Sequence, residues 1–493
     1  MTNDEEILLT FSKDDGVRNI YTWALFFVSA VLMFHNIWSG SLLPWDEGTY
    51  GEIAREIIVE KEGWLTLHLN YQPWFEKPPL YIWLIALAYK VFGVNEFSVR
   101  IWSALFGFGC VILLSFFSKK LFLSRRIAFF SSLSLIGFTQ FVKHSKMGLM
   151  DAPLTFFILL GLFFFWIGRK KDCYLLLVGI TTGTAFLIKS FAALSLPIII
   201  IVFAFADGEA KKLVKNKKLF LGFLIGFLIC SPWHIYEYIQ WGSTFPREYF
   251  THHILGRSFE ALFSKNRGAL YYFTMLLSQN IPLGAISYLT IPYIFYSLHS
   301  EKDRERRAAF ILVIAPVAVT LFLFSLVKTK VITYIMLVYP FLSMSIAVTA
   351  ERIINIGRSD NRKLLIMTTL VIILLTIPVG RFILDKTKTL DYHPRLKNLS
   401  LSAKSNSNKQ EVLFLYLIPE IEEVLFYSER KITQVDRDEL LRKASDSKSF
   451  LCLMSKIDGF FEDLKKYGLT ILYENDDYIL YQIGFLSTPP KNT

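Results

Sequence analysis

Charged residues are scarce in this chain. Asp, Glu, Lys and Arg together make up 19% of its 493 residues, below the roughly 25% of a typical soluble domain. Hydrophobic residues make up 53% and aromatic residues 16%, and aromatic rings favour the interface between membrane and water. Because the apolar runs are long and uninterrupted, the composition argues against a soluble multidomain protein. It predicts a polytopic helical membrane protein.

Cysteines are equally few and follow no pattern. The four of them, Cys110, Cys173, Cys230 and Cys452, are far apart, and no CxxC pair occurs. This spacing argues against a zinc site or a disulfide framework. The first apolar segment follows Arg18 and has no small-residue cleavage site, so we interpret it as a retained signal anchor.

Apolar runs long enough to cross a bilayer recur through the first 386 residues. A membrane-spanning helix needs about 20 apolar residues. The sequence predicts about eleven spans, near residues 20–38, 99–118, 127–142, 152–168, 173–188, 191–206, 219–240, 269–298, 308–327, 331–350 and 364–384. The segment 79–92 is apolar but short, and we interpret it as an interfacial or re-entrant helix.

The positive charge of the chain lies in the connections between these spans. The net charge is +11, which on its own would be compatible with nucleic-acid binding. The basic residues, however, cluster in alternate connections, around 119–126, 169–171, 211–218, 302–307 and 352–363. The positive-inside rule therefore places these connections and the N-terminus in the cytoplasm. The long connections 39–98 and 241–268 are expected on the opposite side.

The composition changes after about residue 386. Residues 387–410 are polar and rich in Lys, Ser and Asn, which predicts a linker. In residues 411–493 short strands alternate with short helices, a pattern typical of a small α/β domain. An odd number of spans places this domain outside the cytoplasm.

Two adjacent carboxylates, Asp46 and Glu47, follow the first span. Carboxylates at a membrane boundary are costly to desolvate, which favours a functional role. The alternative is that the pair simply lies in solvent at the start of a loop. The residues that follow place Ile53, Ala54 and Ile57 at helical spacing. This spacing predicts a helix that lies along the interface.

The same external connection continues to the motif Phe75-Glu76-Lys77-Pro78-Pro79. Prolines end a preceding helix and restrict the backbone before them. Glu76 and Lys77 are therefore expected at a rigid position where the next apolar segment begins. The alternative is a snorkelling lysine beside a turn.

An acidic pair after the first span, then a helix, then FEKPP resembles the GT-C glycosyltransferases of the bacterial aminoarabinose transferase and protein O-mannosyltransferase type (glycosyltransferase families 39 and 83). The resemblance continues in KHSKMGLMDAPLTFF, which contains Asp151, and in PREYFTHHILGRS, which contains His253 and Arg257. It ends in FSLVKTKVITYIMLVYPFLS, which contains Lys330 and Tyr334. One departure is Thr251-His252-His253, where many aminoarabinose transferases have an acidic residue before the His. The acceptor therefore stays open.

The resemblance implies a GT-C fold of about 11–13 transmembrane helices and a donor that carries its sugar on a polyprenyl phosphate. Negative charge grows on the lipid phosphate as the glycosidic bond breaks, and preorganised cations stabilise that charge. The residues expected at the donor phosphate are Tyr50, Lys77, Arg257, Lys330 and Tyr334.

Catalytic and positioning roles follow from the same resemblance. The catalytic residues are expected to be Asp46, Glu47 and Asp151, and the positioning residues Glu76 and His253. Asp46 is the candidate base for an acceptor hydroxyl. Asp151 has an alternative role as an ion-pair partner of Lys143 or Lys146. No metal or other cofactor is expected, because the histidines of the external loops show no ligand spacing on one helix.

These observations predict an inverting glycosyltransferase of the bacterial inner membrane. It would move a sugar from a polyprenyl-phosphate carrier to a lipid such as lipid A, a glycan or a protein, on the extracytoplasmic face. A transporter or flippase of lipid-linked sugars would instead show inverted repeats and charges at mid-membrane. A lipid-pyrophosphate donor would more often need a divalent metal. A third alternative is a noncatalytic scaffold that binds through its C-terminal domain.

Overall fold

The computed structural model describes residues 19–59, 63–256, 267–356, 360–384, 391–446, 449–457 and 459–483. So far as they are described, these residues form two compact units. The membrane unit comprises Met1–His35, Phe75–Tyr81 and Ile101–Thr387. The α/β unit comprises Asn36–Trp74, Ile82–Arg100 and Lys388–Thr493.

Helices follow one another from residue 19 to residue 384. They are α1 (Asn19–Phe34), α2 (Asp46–Val59), α3 (Leu80–Phe92), α4 (Glu96–Phe122), α5 (Arg125–Gly137), α6 (Thr139–Ser145), α7 (Asp151–Gly168), α8 (Leu175–Lys189), α9 (Ser195–Ala206), α10 (Ala210–Val214), α11 (Lys217–Trp241), α12 (Thr244–Pro246), the π-helical α13 (Arg247–Gly256), α14 (Tyr271–Gln279), α15 (Leu283–Ser300), α16 (Arg304–Leu326), α17 (Val338–Ile356) and α18 (Asp360–Leu384). Short 3-10 turns occupy Asp172–Tyr174, Ser190–Leu194 and Ile332–Ile335. Helix α2 belongs to the α/β unit.

Within the described residues, five helical stretches are long and apolar enough to cross a membrane. They are Glu96–Phe122, Asp151–Gly168, Asp172–Ala206, Lys217–Trp241 and Arg304–Leu326. Each coincides with predicted spans, and the third covers two of them. Helices α1 and α3 are apolar but shorter. The chain is therefore a polytopic helical membrane protein, as its composition predicts.

The predicted span 269–298 is wrong as a single helix, because α14 ends at Gln279 and α15 begins at Leu283. Pro282 lacks an amide hydrogen and disfavours helical backbone in the residue before it. Asn280 uses its side chain elsewhere: its carbonyl oxygen accepts from the Gln140 amide at 3.3 Å, and its Nδ2 donates to the Tyr339 hydroxyl at 3.4 Å. Two helices joined by a buried polar corner replace the predicted span.

The helical part of the predicted span 331–350 begins later than expected. Residues Ile332–Ile335 form a 3-10 turn, and α17 starts at Val338. Pro340 falls in the first turn of α17, where a missing amide hydrogen breaks no helical bond. The turn is thereby left outside the helix, and its Tyr334 becomes available to the site described below.

Helices α8 and α11 meet without side chains between them. A Cβ atom added to Gly179 would lie 1.9 Å from the Gly222 carbonyl, and one added to Gly183 would lie 2.2 Å from the Gly226 oxygen. Each helix has two glycines four residues apart, which permit the two backbones to approach closely. Such small-residue contacts are common between membrane helices. The pairing fixes the course of α8, which ends at Lys189.

The C-terminal part of the α/β unit contains a five-stranded sheet. Its strands are β3 (Val412–Tyr416), β4 (Lys431–Gln434), β5 (Phe450–Ser455), β6 (Leu469–Glu474) and β7 (Tyr478–Ile483), whereas β1 (His68–Leu69) and β2 (Gln72–Pro73) form a separate hairpin. The spatial order is β4-β3-β5-β7-β6. Strand β3 runs parallel to β4 and β5, and β7 is antiparallel to β5 and β6.

Helices α19 (Pro394–Ser405), α20 (Ile421–Ser428), α21 (Arg437–Ser445) and α22 (Phe461–Leu464) accompany this sheet. Alternate residues of a strand point to opposite faces. Accordingly, Leu413 and Leu415 share one buried cluster with α19 and α20, and Tyr416 belongs to a second cluster with α21. Apolar positions on both faces of the sheet are therefore covered.

The predicted linker 387–410 is wrong over half its length, because residues 394–405 form α19. The segment is polar on average, but its few apolar residues fall on one face of the helix. Leu396, Leu399 and Ala403 recur at helical spacing and are fully buried against the sheet. Pro394 occupies the first turn, where proline is favoured. The C-terminal part of the α/β unit therefore contains a packed helix ahead of its sheet.

Helix α2 is confirmed as a helix, but it lacks the exposed polar face that an interfacial helix requires. Glu52, Arg55 and Glu56 are fully buried beside its apolar residues. The Arg55 Nε lies 2.7 Å from a Glu52 carboxylate oxygen, so this buried cation is paired. Burial, followed by the negative charge of Glu52, raises the pKa of Glu56 to about 8. Protein therefore surrounds α2 on both faces.

The hairpin before the FEKPP motif is tied to the sheet by one side chain. The Asn70 Nδ2 donates to the Ile432 carbonyl at 2.9 Å, and the Asn70 Oδ1 accepts from the Ile432 amide at 2.9 Å. Ile432 lies in β4, an edge strand whose outer backbone groups would otherwise need another partner. The hairpin and the C-terminal sheet are thus parts of one unit.

Candidate active site

The membrane unit contains a cavity lined by charged and polar side chains. It encloses about 930 Å³, including space open to solvent, within the size range of small-molecule sites. Its polar lining comes from Glu76, Lys77, Asp151, Thr155, Lys189, Ser190, Ser195, His253, Thr320, Thr333 and Tyr334. Leu154, Ile158 and Phe324 contribute apolar surface. Residues far apart in the sequence therefore converge on one site.

Asp151 and Lys189 form an ion pair in this cavity. Asp151 is the first residue of α7, and Lys189 is the last residue of α8. The Lys189 ammonium donates to the Asp151 carboxylate at 2.8 Å, with side chains 17% and 7% exposed, respectively. It also lies 4.9 Å from the centre of the Tyr334 ring, close enough for a cation–π contact.

Lys189 is a site residue that the sequence reasoning missed. The expected partner of Asp151 was Lys143 or Lys146, whereas the observed partner is 38 residues further along the chain. One signal was available: Lys189 ends an apolar helical run and is followed by a second one. A lysine at such a position, between two spans, is costly unless it has a role.

The FEKPP motif contributes Glu76 and Lys77 to the cavity lining. The Glu76 carboxylate is 3.7 Å from the Nδ1 of His253, which lies on the π-helical α13. Phe75 anchors the motif by edge-on ring contacts with Trp241 and Phe245, at centroid distances of 5.7 Å each. The structure thus brings Glu76, Lys77 and His253 together in one cavity lining.

Ser190 connects the cavity wall to α11 and α13. Its hydroxyl bonds to the hydroxyl of Tyr249 on α13, and the same Tyr249 hydroxyl lies 3.2 Å from the Nε2 of His234 on α11. Tyr249 is fully buried. Because Ser190 follows Lys189 directly, this chain of hydrogen bonds holds the backbone that carries the Lys189 ammonium.

The predicted phosphate ligands Tyr334 and Lys330 have different positions. Tyr334 lines the cavity. Lys330 is nearly buried, and its ammonium donates to the Val327 carbonyl at 2.7 Å. Lys330 is not among the lining residues of this cavity. Arg257, the third predicted ligand from this half of the chain, lies outside the described residues.

Asp46, Glu47 and Tyr50 belong to the α/β unit, in the first turns of α2. Asp46 is exposed, and its carboxylate accepts a hydrogen bond from the Tyr50 hydroxyl at 3.1 Å. A carboxylate in the first turn of a helix is stabilised by the helix dipole. Tyr50 itself is nearly buried. The structure therefore pairs Tyr50 with Asp46.

Glu47 is fully buried, in contrast to its neighbour Asp46. Its carboxylate accepts from the Arg100 Nε at 2.7 Å and from the Leu43 amide at 2.6 Å. Arg100 is also fully buried and donates to the carbonyls of Ser39 and Ser41 at 2.7 and 2.8 Å. This geometry favours a structural role for Glu47 over the catalytic one expected from the sequence.

The described residues contain no group of three His, Cys, Asp or Glu side chains arranged to hold a metal ion. The cavity instead offers two ammonium groups, two carboxylates and an imidazole beside an apolar wall. Ammonium groups serve as point charges for a phosphate, and carboxylates orient hydroxyl or amino groups. Such a lining suits an anionic head group with an apolar tail.

Comparison with known proteins agrees with this description. A family model described as dolichyl-phosphate-mannose-protein mannosyltransferase matches residues 76–236. The crystal structure of ArnT from Cupriavidus metallidurans bound to undecaprenyl phosphate superposes with a TM-score of 0.75, covering 94% of this chain and 98% of that one at 18% identity. The chain has the GT-C fold of the ArnT and PMT type. The GT-C fold predicted from the sequence motifs is thereby confirmed.

The chain is also similar to two arabinosyl transferases in sequence and to an oligosaccharyltransferase in structure. The undecaprenyl phosphate-α-4-amino-4-deoxy-L-arabinose arabinosyl transferase of Aeromonas hydrophila is 26% identical over 345 residues, which are 68% of this chain and 60% of that protein. The enzyme of the same name from Pseudomonas savastanoi is 29% identical over 312 residues, 62% of this chain and 55% of that protein. The oligosaccharyltransferase of Archaeoglobus fulgidus shares the fold with a TM-score of 0.50 at 12% identity, covering 90% of this chain and 69% of that one. The GT-C chain thus spans about 60% of the length of these transferase relatives.

Proposed function

We propose that the chain is an inverting membrane glycosyltransferase that uses a polyprenyl-phosphate sugar as donor. The observation that carries this proposal is the cavity of the membrane unit, in which Lys77 and Lys189 share one lining with Glu76 and Asp151. Two further observations support the proposal. The similar arabinosyl transferases are named for an undecaprenyl phosphate sugar, and the similar ArnT structure contains bound undecaprenyl phosphate.

The donor class follows from the two kinds of surface in the cavity. A sugar phosphate on a polyprenyl chain carries negative charge at one end and a long apolar tail. Lys77 and Lys189 supply positive charge, and Ile158, Phe324 and Val327 supply apolar wall. Tyr334 lines the same cavity and can add a hydroxyl donor, and its ring lies over the Lys189 ammonium. As the bond to the anomeric carbon breaks, the leaving phosphate gains charge, and these ammonium groups would stabilise it.

The proposed reaction is a single displacement with inversion. The acceptor oxygen forms a bond to the anomeric carbon while the bond to the phosphate oxygen breaks, and the acceptor proton passes to a carboxylate. Asp46 is the proposed base because it is exposed and oriented by Tyr50. One carboxylate and a cationic clamp are enough, since no covalent intermediate needs a second carboxylate. An acceptor that is itself a phosphate needs no base, and Asp46 would then orient the acceptor.

The acceptor and the orientation complete the proposal. We assign the reaction to the extracytoplasmic face of the inner membrane, with the N-terminus in the cytoplasm and the C-terminal α/β domain outside, because of the basic connections. The acceptor is a lipid of the lipid A kind, a glycan or a protein. Specificity among them depends on a few hydrogen bonds to hydroxyl and amino groups.

Transfer from synthetic polyprenyl-phosphate sugars by the purified full chain in lipid nanodiscs tests the proposal. Lys77→Ala and Asp46→Asn should each reduce transfer by at least about 100-fold, the usual contribution of a general base or charge stabiliser. Lys218→Ala is the matched control, because it breaks an ammonium–carboxylate contact of 2.8 Å with Asp172 outside the cavity. Full activity in both site variants would refute the assignment. Translocation of the donor without transfer would indicate a flippase instead.

A further inference from the structure

The segment that leads to Asp46 depends on side chains for its backbone hydrogen bonds. Residues 39–43 form neither helix nor strand, and buried backbone amides require partners from elsewhere. The Leu43 amide donates to Glu47 in the first turn of α2. The preceding amides of Ser41 and Leu42 have partners contributed by the C-terminal part of the chain.

Asp391 and Tyr427 receive these two amides. The Ser41 amide donates to the Asp391 carboxylate at 2.8 Å, and the Leu42 amide donates to the Tyr427 hydroxyl at 2.9 Å. In return, the Ser41 hydroxyl accepts from the His393 amide at 2.7 Å. All of these groups lie in the α/β unit, so the C-terminal part of this unit holds both amides.

Lys397 and Glu96 extend the same contact. The Lys397 ammonium on α19 donates to the Gly40 carbonyl at 3.1 Å and forms an ion pair with Glu96. The Tyr427 hydroxyl, which accepts from Leu42, donates to the same Glu96 carboxylate at 3.0 Å. A hydroxyl that donates to a carboxylate becomes a better acceptor, so each of these bonds strengthens the next.

The start of α2 is fixed by backbone contact as well. A Cβ atom added to Gly48 would lie 3.3 Å from the backbone of both Glu422 and Glu423 at the beginning of α20. Gly48 is therefore packed closely on the C-terminal domain, two residues after Asp46. The direction in which Asp46 projects is consequently set by its segment and by this helix contact.

We propose that the C-terminal domain, residues 391–483, is a positioning domain for Asp46, and that Tyr427 and Lys397 are its positioning residues. The proposal rests on the proposed function, in which Asp46 is the base. The domain needs no ligand of its own for this role. Its contribution to the reaction is to hold an otherwise irregular segment in one conformation, so that the carboxylate is preorganised.

Hydrogen–deuterium exchange of the full chain in nanodiscs tests the proposal directly. Tyr427→Phe keeps the ring and removes the hydroxyl, and Lys397→Met removes the ammonium. Loss of one such hydrogen bond should speed exchange in the peptide spanning residues 39–48 about fivefold. Tyr467→Phe and Lys404→Met are matched controls: Tyr467 packs in the same domain, and Lys404 is on the same helix as Lys397 but pairs with Glu429.

Turnover measured on the same variants separates positioning from mere stability. We expect kcat to fall about tenfold or more in both variants, with the KM for the donor unchanged, because the proposed phosphate contacts lie in the membrane unit. Lys397→Arg should restore both exchange and kcat. Wild-type exchange in residues 39–48 of both variants would overturn the proposal, and so would faster exchange with unchanged kcat. Hydrogen–deuterium exchange is measured without turnover, so the two proposals can fail separately. A wild-type chain that transfers no sugar would refute the proposed function, whereas the exchange rates would still show whether the C-terminal domain orders residues 39–48.

Discussion

The ion pair between Asp151 and Lys189 permits a test that separates a structural role from a functional one. Lys189→Met removes the ammonium that donates to Asp151 at 2.8 Å, where the carboxylate is only 7% exposed. A hydrogen bond between charged groups contributes about 1.5–3 kcal/mol, and stranding a fully buried charge costs about 3–5 kcal/mol. Because the stranded Asp151 carboxylate is 7% exposed and lines the cavity, we expect the lower part of the span from about 1.5 to 5 kcal/mol, roughly 2–3 kcal/mol.

Thermal unfolding of the full chain measures this cost. Asp151→Asn and Lys189→Met should each lower the unfolding midpoint by several degrees. The double variant Asp151→Asn/Lys189→Met leaves neither charge stranded, so it should recover at least about 1 kcal/mol relative to the sum of the single changes. Lys218→Met should leave the midpoint unchanged, because its contact with Asp172 is exposed.

Transfer activity of the double variant then separates an ion pair that serves the reaction from one that only ties α7 to α8. If Lys189 binds the donor phosphate, the double variant recovers stability but remains inactive, at less than about 1% of wild-type transfer. If the pair only ties α7 to α8, transfer recovers together with the unfolding midpoint. Recovery of transfer in the double variant would therefore refute the assignment of Lys189 to the donor site.

Three further predictions concern other parts of the chain. Gly183→Leu should separate α8 from α11, since its Cβ would meet the Gly226 carbonyl at 2.2 Å; a lower unfolding midpoint with reduced transfer supports this, and an unchanged midpoint contradicts it. Glu47→Gln should cost about 3–5 kcal/mol by stranding the buried Arg100; normal stability with lost transfer would instead indicate a catalytic Glu47. Burial raises the pKa of Glu423 from 4.5 to about 9, because the buried carboxyl is more stable in its neutral form. The contribution of Glu423 to the free energy of unfolding is therefore complete below pH 4.5 and is lost as pH rises through 9. In the Glu423→Gln variant the unfolding midpoint should therefore fall less steeply between pH 5 and 9 than in the wild type. The same pH dependence in both proteins would contradict this.

Much of the site was predictable because its motifs carry their own physical constraints. Two prolines after Lys77 restrict the backbone, and Asp151 begins an apolar helix, so both positions are visible in the sequence. The structure places these residues on one cavity with His253 and Tyr334. Convergence of this kind follows from the resemblance to a known fold and not from the spacing of the residues.

The parts that were missed depend on contacts between distant segments. Lys189 was overlooked because it ends a helix interpreted only as a membrane span, and its partner Asp151 lies in another helix. Lys330 was assigned to the phosphate from its motif, but its ammonium donates to a nearby carbonyl, a choice that local sequence does not specify. The burial of Glu47 likewise depends on Arg100, 53 residues away.

The pairing of residues 39–43 with the C-terminal domain has a consequence for the order of assembly during synthesis. Ser41 and Asp391 are 350 residues apart in the chain. At about 5–20 residues per second, roughly 20–70 s separate the translation of the first partner from that of the second. For most of that interval Asp46 and Arg100 are already translated, whereas Asp391 and Tyr427, which accept from the Ser41 and Leu42 amides, are not. The proposed base can therefore gain this ordered segment only after residues 391–427 have been translated, so that translation of the helices before them precedes the proposed activation.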